Sequence, residues 1–195
     1  MSLRIETVTG EAALPHVPAL AHLRTVVFAE WPYLYQGEAE DEARYLHHYT
    51  EDEAAAIVLA WDGDRIVGAA TAQPMTATHG PVRTAFEAAG RNPADHCYFG
   101  ESVLLKEYRG QGAGVAFFAA REAHARSLEL RFATFCAVVR NGNDPRRPPD
   151  HTPLDGFWVK RGYTHHPELS CVFNWRELGE ERETPHALSF WIKPL

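Results

Sequence analysis

The sequence predicts a mixed α/β fold built on one mixed sheet, and three observations predict it. Two apolar runs, Ala55–Trp61 and Arg65–Ala72, meet at Asp62-Gly63-Asp64, the clearest hairpin turn in the chain. A third run, Cys97–Leu105, passes through a charged turn into a glycine-rich helix start, Arg109-Gly-Gln-Gly-Ala-Gly114. Two more runs, Ser170–Trp175 and Ala187–Ile192, close the chain as strands.

Taken in order, Leu3–Val8 alternates like an edge strand. Leu14–Glu30 reads as a helix with Leu20, Leu23, Val27 and Ala29–Trp31 on its apolar side, stopped at Trp31-Pro32. After the loop 32–37, a second helix is expected over Glu38–Tyr49, followed by the hairpin. Pro81–Gly90 reads as a short extra helix before the central strand Cys97–Leu105. The next helix, Gly112–Leu128, is expected to turn Glu122, Arg126 and Glu129 to water and Val115, Phe118 and Ala119 to the sheet. Phe132–Val139 follows as a buried strand and Leu154–Arg161 as a short helix. Between them the Pro-rich stretch Asp144–Pro153 reads as an inserted loop. Without the extra helix the order is βααβββαβαββ.

Composition suits one domain over 1–195. The 195 residues are 45% hydrophobic, enough for a sizeable core. No apolar run reaches membrane-spanning length, and Met1–Val8 alternates rather than forming a signal peptide, so a cytoplasmic protein is expected. Cys97, Cys136 and Cys171 are an odd set in apolar runs and read as core thiols, with a nucleophilic Cys136 as the alternative. The adjacent pairs His47-His48 and His165-His166 point in different directions, and no Cys-x-x-Cys is present, so no metal is expected.

The net charge of −7 is unevenly spread. Residues 1–100 hold six Arg, no Lys and fourteen acids, whereas residues 106–161 hold ten Lys/Arg against six acids. A polyanionic ligand belongs with the second stretch. Overall acidity and the lack of a basic face disfavour nucleic acid.

The glycine-rich turn leaves backbone N–H groups bare at a helix start, where the dipole favours an anion such as a diphosphate. A Walker loop would need Lys-Ser/Thr after the last glycine, but Gly114 is followed by Val-Ala-Phe-Phe. A Rossmann fingerprint would need an early βαβ unit and an acid at the tip of the next strand, but Glu129 closes the helix. What remains, Arg109-x-x-Gly112-x-Gly114 at a strand-to-helix junction, resembles the acyl-CoA pyrophosphate motif of the GNAT superfamily of N-acyltransferases. Phe157–Tyr163 resembles the family's late helix with its Gly-aromatic end, and Leu23–Tyr35 its first helix and acceptor loop. The likeness spans most of the chain, with Arg109–Gly114 as its specific part.

That resemblance implies a GNAT-like fold whose splayed central strands admit a pantetheine arm, with acetyl-CoA as cosubstrate. It implies cofactor contacts from Leu104, Arg109, Gly110, Gln111, Gly112, Ala113, Gly114 and Asn141. It implies an acceptor wall from Trp31, Tyr33, Tyr35 and Glu38, with Glu40 and Asp41 beside it, suited to a cationic amine. The competing reading makes Trp31 and Tyr33 core and the acids a wet helix face. The implied partner is an amine acceptor, small molecule or peptide, and a homodimer stays open.

Direct transfer needs a neutral amine and an acceptable leaving group. A lysine-like amine is mostly protonated at pH 7, a deficit of about 4.6 kcal/mol, against about 2 kcal/mol for a thiol. Proton removal from the amine therefore matters more. Glu101, an acid in an apolar strand where the family often carries one, is the expected base, acting through a water. The alternatives for Glu101 are a solvated face or an Arg partner. Many family members carry a thiolate-protonating tyrosine four residues before the late glycine. Trp158 stands there and cannot titrate, which leaves Tyr163, Tyr98 or water to replace it. Three classes compete: an N-acetyltransferase, a catalytically silent acyl-CoA sensor or interaction module, and a nucleotide-phosphate binder.

Overall fold

The computed structural model describes residues 3–78 and 80–195, so Met1 and Ser2 of the Met1–Val8 run, and His79, lie outside the described residues. The strands are β1 (Arg4–Thr9), β2 (Ala56–Asp62), β3 (Arg65–Pro74), β4 (His96–Tyr98), β5 (Ser102–Leu104), β6 (Phe132–Val138), β7 (Thr164–Arg176) and β8 (Glu183–Pro194). The helices are α1 (Val17–Phe28), α2 (Ala39–Glu51), α3 (Pro81–Ala88), α4 (Ala113–Ser127) and α5 (Asp155–Val159). All strands join one mixed sheet in the order β1-β2-β3-β4-β6-β8-β7, with β5 also beside β3.

Ala56–Ala60 of β2 are all buried, so both faces of the sheet are covered there. Helices α1 and α2 pack on each other, and α1 meets β3 and β5, while α4 meets β1, β2 and β3. The helices thus sandwich this half of the sheet. In the other half α3 packs on β7.

Four expectations need correction. The first helix begins at Val17 with Pro18 in its first turn, and Gly10–His16 winds as a 3₁₀ turn before it. The closing strands are longer than their apolar runs. β7 is an edge strand, and an edge tolerates polar residues, Pro167 and a register shift near it. On α4, Val115 and Ala119 are exposed while Phe117, Phe118, Arg121, Glu122 and Ala125 are buried. Glu122 leaves water because Lys193 of β8 reaches both its oxygens, at 2.9 and 2.8 Å, and Tyr163 donates to it at 3.0 Å.

The fourth correction positions the site. The central run is two short strands, β4 and β5, broken at Phe99-Gly100-Glu101. β4 pairs with Gln73 and Pro74 of β3, β5 with Gly68 to Ala70, and the register slips by one residue between them, as at a β-bulge. Gly100 fits because a Cβ there would lie 2.5 Å from both Thr71 Oγ1 and Tyr49 Oη.

β4 also pairs in parallel with β6, through His96↔Phe132, Cys97↔Ala133 and Tyr98↔Thr134. Phe99 N–H donating to Thr134 C=O at 2.8 Å adds one more rung. Beyond it each strand keeps only its outer partner, β5 on β3 and Phe135–Val138 on β8. The two central strands therefore part into a fork that opens toward their C-terminal ends. This is the expected splay.

Candidate active site

At the mouth of the fork the chain leaves β5 and turns into α4. Gly110 and Gly112 have φ of +76° and +90°, and a Cβ at either would meet nothing within 4 Å. Glycine is set there by backbone conformation, and the space beside it is open. Gly112 caps α4 in the left-handed region, and its carbonyl accepts from Ala116 N–H at 3.1 Å. The N–H groups of the first turn have no intrahelical acceptor and face this opening with the positive end of the helix dipole. At Gly114 a Cβ would lie 3.3 Å from Phe157 Cζ, so α5 closes over the start of α4. A diphosphate fits this cradle.

The Arg109 side chain does not face it. Its guanidinium grips Glu30 at 2.7 and 3.1 Å, and its Nε donates to Leu104 C=O at 3.0 Å. Arg109 ties the cradle turn to the end of α1. Asn141 is exposed after β6, and its side-chain oxygen accepts from Asn143 N–H, so it caps its own turn.

At the apex Thr71 serves both sides of the bulge. Its N–H donates to Glu101 C=O at 3.0 Å, its carbonyl accepts from Gly100 N–H at 3.2 Å, and its hydroxyl oxygen accepts from Glu101 N–H at 3.2 Å. The Glu101 side chain, 7% exposed, turns toward α1 and α2, where Arg24 Nη1 meets Oε2 at 2.9 Å. Arg24 Nε also pairs with Glu42, which accepts the Tyr35 hydroxyl at 2.7 Å. Burial works against the charge of Arg24, but Glu101, Tyr45 and Glu42 outweigh it and hold the guanidinium firmly protonated. Two buried carboxylates share one guanidinium. Among the described residues Glu101 Oε1 is buried with no hydrogen-bond partner. Tyr45, partly exposed, and Tyr49, fully buried, line the same side; burial in Tyr49, and the carboxylate of Glu101 in both, favour the neutral phenol.

The sequence marked Glu38, Glu40 and Asp41 for the acceptor side, but all three are exposed, and Glu38 only approaches Arg176 at 3.9 Å. The acid that turns inward is Glu42, on one helical face with Tyr45 and Tyr49. Trp31, which joins Pro32 through a cis peptide, packs edge-on against His151 at 6.1 Å under the Arg140 guanidinium. The Tyr33 ring lies between Phe28 and Trp175, and its carbonyl accepts from Trp175 Nε1 at 3.1 Å. This loop is fastened to the end of β7, through Gln36 N–H to Arg176 C=O at 2.9 Å and Leu178 N–H to Leu34 C=O at 2.8 Å. Buried Glu177 anchors the fastening. Arg140 and Arg146 both pair with it, and although burial would raise its pKa, they bring it below the usual value.

Tyr163 is not at the apex of the acceptor side. It is buried under α4 among Phe118 and Phe135, with its hydroxyl given to Glu122, and burial with that carboxylate pushes its pKa up. Trp158 packs on Phe135 and Trp191, at 5.1 and 5.0 Å. Tyr98, at the end of the stem, shares a hydrogen bond with the Cys136 thiol at 3.3 Å. Cys97, Cys136 and Cys171 are all free and buried. Among the described residues no group of three or more His, Cys, Asp or Glu could hold a metal, and no helix is long and apolar enough to cross a membrane. A surface cavity of about 520 Å³ beside His22, Trp61 and Arg65 contains none of these fork or cradle residues.

A sheet forked beside a glycine-capped helix start defines a class of acyl-transfer fold, and sequence comparison agrees. The acetyltransferase (GNAT) family model matches residues 21–148, and the chain belongs to that family. Among solved structures it is similar to a ribosomal-protein-alanine N-acetyltransferase from Brucella melitensis, with 17% identity, 99% of this chain and 100% of that one covered, and a TM-score of 0.64. The Escherichia coli ribosomal-protein-S18-alanine N-acetyltransferase matches with 10% identity, coverage of 98% and 94%, and a TM-score of 0.60. PaiA N-acetyltransferase from Thermoplasma acidophilum, solved with coenzyme A, matches with 10% identity over the full length of both chains and a TM-score of 0.56. At these identities the likeness is one of fold. No curated protein sequence matches the chain.

Proposed function

We propose that this chain is an acetyl-CoA-dependent N-acetyltransferase that moves the acetyl group directly to a primary amine. The observation that carries this is the continuity of the site: a cradle with open space at Gly110 and Gly112 stands at the mouth of a fork whose apex holds a carboxylate with one unpartnered buried oxygen. In this reading the first-turn N–H groups from Gln111 to Gly114 hold the pyrophosphate, and Leu104 borders the arm's path along β5. The cosubstrate supplies a thioester-activated acetyl group.

Glu101 accepts the amine proton at Oε1, directly or through a water, while Arg24 holds Oε2 and fixes the carboxylate's orientation. Glu42 and Glu101 against Arg24 leave an excess of one negative charge among these three side chains, which favours a cationic acceptor entering past Tyr35 and Tyr45. Trp31 and Tyr33 shape the loop that borders this entry. Arg109 acts through its grip on Glu30, whereas Asn141 and Tyr163 have no part.

The test is thiol release from acetyl-CoA with a panel of amines: small polyamines, amino acids and peptides with a free N-terminus. Release that depends on one class of amine is expected. Trp158 in place of a titratable side chain favours a second reading, an acyl-CoA binder without turnover. Thermal stabilisation by acetyl-CoA with no thiol release across the panel selects it, and stabilisation by ATP but not CoA overturns both.

A further inference from the structure

Arg121 is buried, 2% exposed, on the sheet-facing side of α4. Helix α4 runs back from the cradle toward the stem of the fork, and eight residues from Ala113 carry it about 12 Å. That brings Arg121 to the apex. Its Nη1 lies 3.3 Å from Glu101 C=O and 3.4 Å from Thr71 C=O, its Nε donates to Phe117 C=O at 3.3 Å, and the guanidinium lies over Phe99 and Phe118 at 4.4 and 4.9 Å. Among the described residues no carboxylate is within ion-pair distance of it; Glu122 beside it is engaged by Lys193 and Tyr163.

Burial draws the Arg121 pKa down to about 10, which still leaves the side chain charged at neutral pH. A buried charge without a counter-ion is costly, and Leu or Met would fill the same space between two phenylalanines without that cost. Bracing the bulge needs only hydrogen-bond donors at this depth. What a brace does not need is the charge.

We propose that Arg121 provides a fixed positive charge beneath the fork apex that stabilises the thiolate departing from acetyl-CoA, a role Trp158 has no proton to fill. The inference rests on the acetyltransferase reading above. In the step it serves, the amine nitrogen bonds to the carbonyl carbon, the C–S bond breaks and sulfur keeps the electron pair, while the amine proton leaves through Glu101. No proton has to reach sulfur within the site.

The experiment titrates the thiol of CoA bound to the full chain, read by ultraviolet absorbance of the thiolate, with binding followed separately by thermal shift. The bound thiol of the wild type is expected to ionise at least one pH unit below free CoA, a tenfold change in ionisation constant. Arg121→Gln, whose amide nitrogen reaches only the place of Nε beside Phe117 C=O, removes the charge and should return the thiol to within a few tenths of a unit of free CoA, whereas Arg121→Lys, which keeps the charge, should hold most of the shift. If CoA binds the wild type and its thiol titrates as in free CoA, the proposal is overturned whether or not the variants fold. An unchanged thiol in CoA-bound Arg121→Gln also overturns it. If CoA does not bind the wild type at all, the acetyl-CoA reading fails and takes the proposal with it.

Discussion

The two sides of the fork are built from different materials. On the side proposed for the donor the cradle is backbone: left-handed glycines and the first-turn N–H groups of one helix start, all within Gly110 to Gly114. The side proposed for the acceptor is made of side chains gathered from across the chain, with Arg24 of α1, Glu42 of α2 and Glu101 of the central break meeting in one buried cluster and the exposed Tyr45 ring stacked against Arg24. A backbone site needs only a local conformation, which glycine spells out. A cluster of charges depends on partners that only the fold brings together. The first tolerates little change of residue type, whereas in the second removing Arg24 would leave two buried carboxylates uncompensated.

The sharpest test of this difference is Glu101→Gln. If Glu101 takes the amine proton, kcat should fall by about 10²- to 10⁴-fold with acetyl-CoA affinity nearly intact, measured on whichever amine proves active. Wild-type kcat across pH 6–9 would remove Glu101 from the chemistry. Next comes Glu177→Gln, which strips the buried carboxylate from Arg140 and from the exposed Arg146, which keeps Asp144. Loss of a buried partner of this kind costs about 3 kcal/mol, so denaturant unfolding should show a drop of that size, with the KM for the amine raised more than that for acetyl-CoA. Equal rises in both would mean the acceptor loop is not a separate wall.

On the donor side, acetyl-CoA at about 100 times its Kd should stabilise the fold by roughly 2.7 kcal/mol. Gly112→Val should abolish that stabilisation, because a β-branched residue is strained at φ +90° and fills the open space. A folded Gly112→Val protein with an unchanged thermal shift would break the assignment of the cradle.

The smallest effect belongs to the stem that both sides share. His96 is buried there against Phe132, with Nδ1 2.7 Å from Thr134 Oγ1, and burial, reinforced by Arg91, lowers its pKa from 6.5 to about 4. The unfolded chain takes up this proton below about pH 6.5, and the folded chain only near pH 4. His96 therefore contributes its full stability above pH 6.5 and loses it as pH falls toward 4. Between pH 6.5 and 5 the loss should be about 1.5 kcal/mol. Unfolding curves of His96→Phe should lack that part of the acid sensitivity; a difference between wild type and variant that does not change with pH would refute it.

What could be read in advance follows the same division. The cradle, the hairpin at Gly63 and the stop at Trp31-Pro32 were legible because each is a local backbone demand that glycine, aspartate or proline states in place. Glu101 stood out as an acid in an apolar run. Its partner Arg24 did not, since it lies 77 positions earlier on a helix where only apolar spacing was informative. Glu122 looked like a surface residue because the partners that bury it, Tyr163 and Lys193, come from the end of α5 and from β8. Tyr163 was chosen for its hydroxyl, and that same hydroxyl is what Glu122 holds. The break at Gly100 was hidden because a bulge depends on the neighbouring strand's register, which a single run of apolar residues does not encode.

Gly100 also restricts how this site can vary. A single methyl group there would collide with hydroxyls from two separate elements, Thr71 of β3 and Tyr49 of α2, at 2.5 Å. Both neighbours are themselves committed, Thr71 to the two backbone groups of Glu101 and Tyr49 to full burial. A descendant of this chain could resize its pocket along either arm of the fork by ordinary single substitutions. At the crotch it would need three at once, so that point is a fixed landmark around which the side chains along the arms can drift.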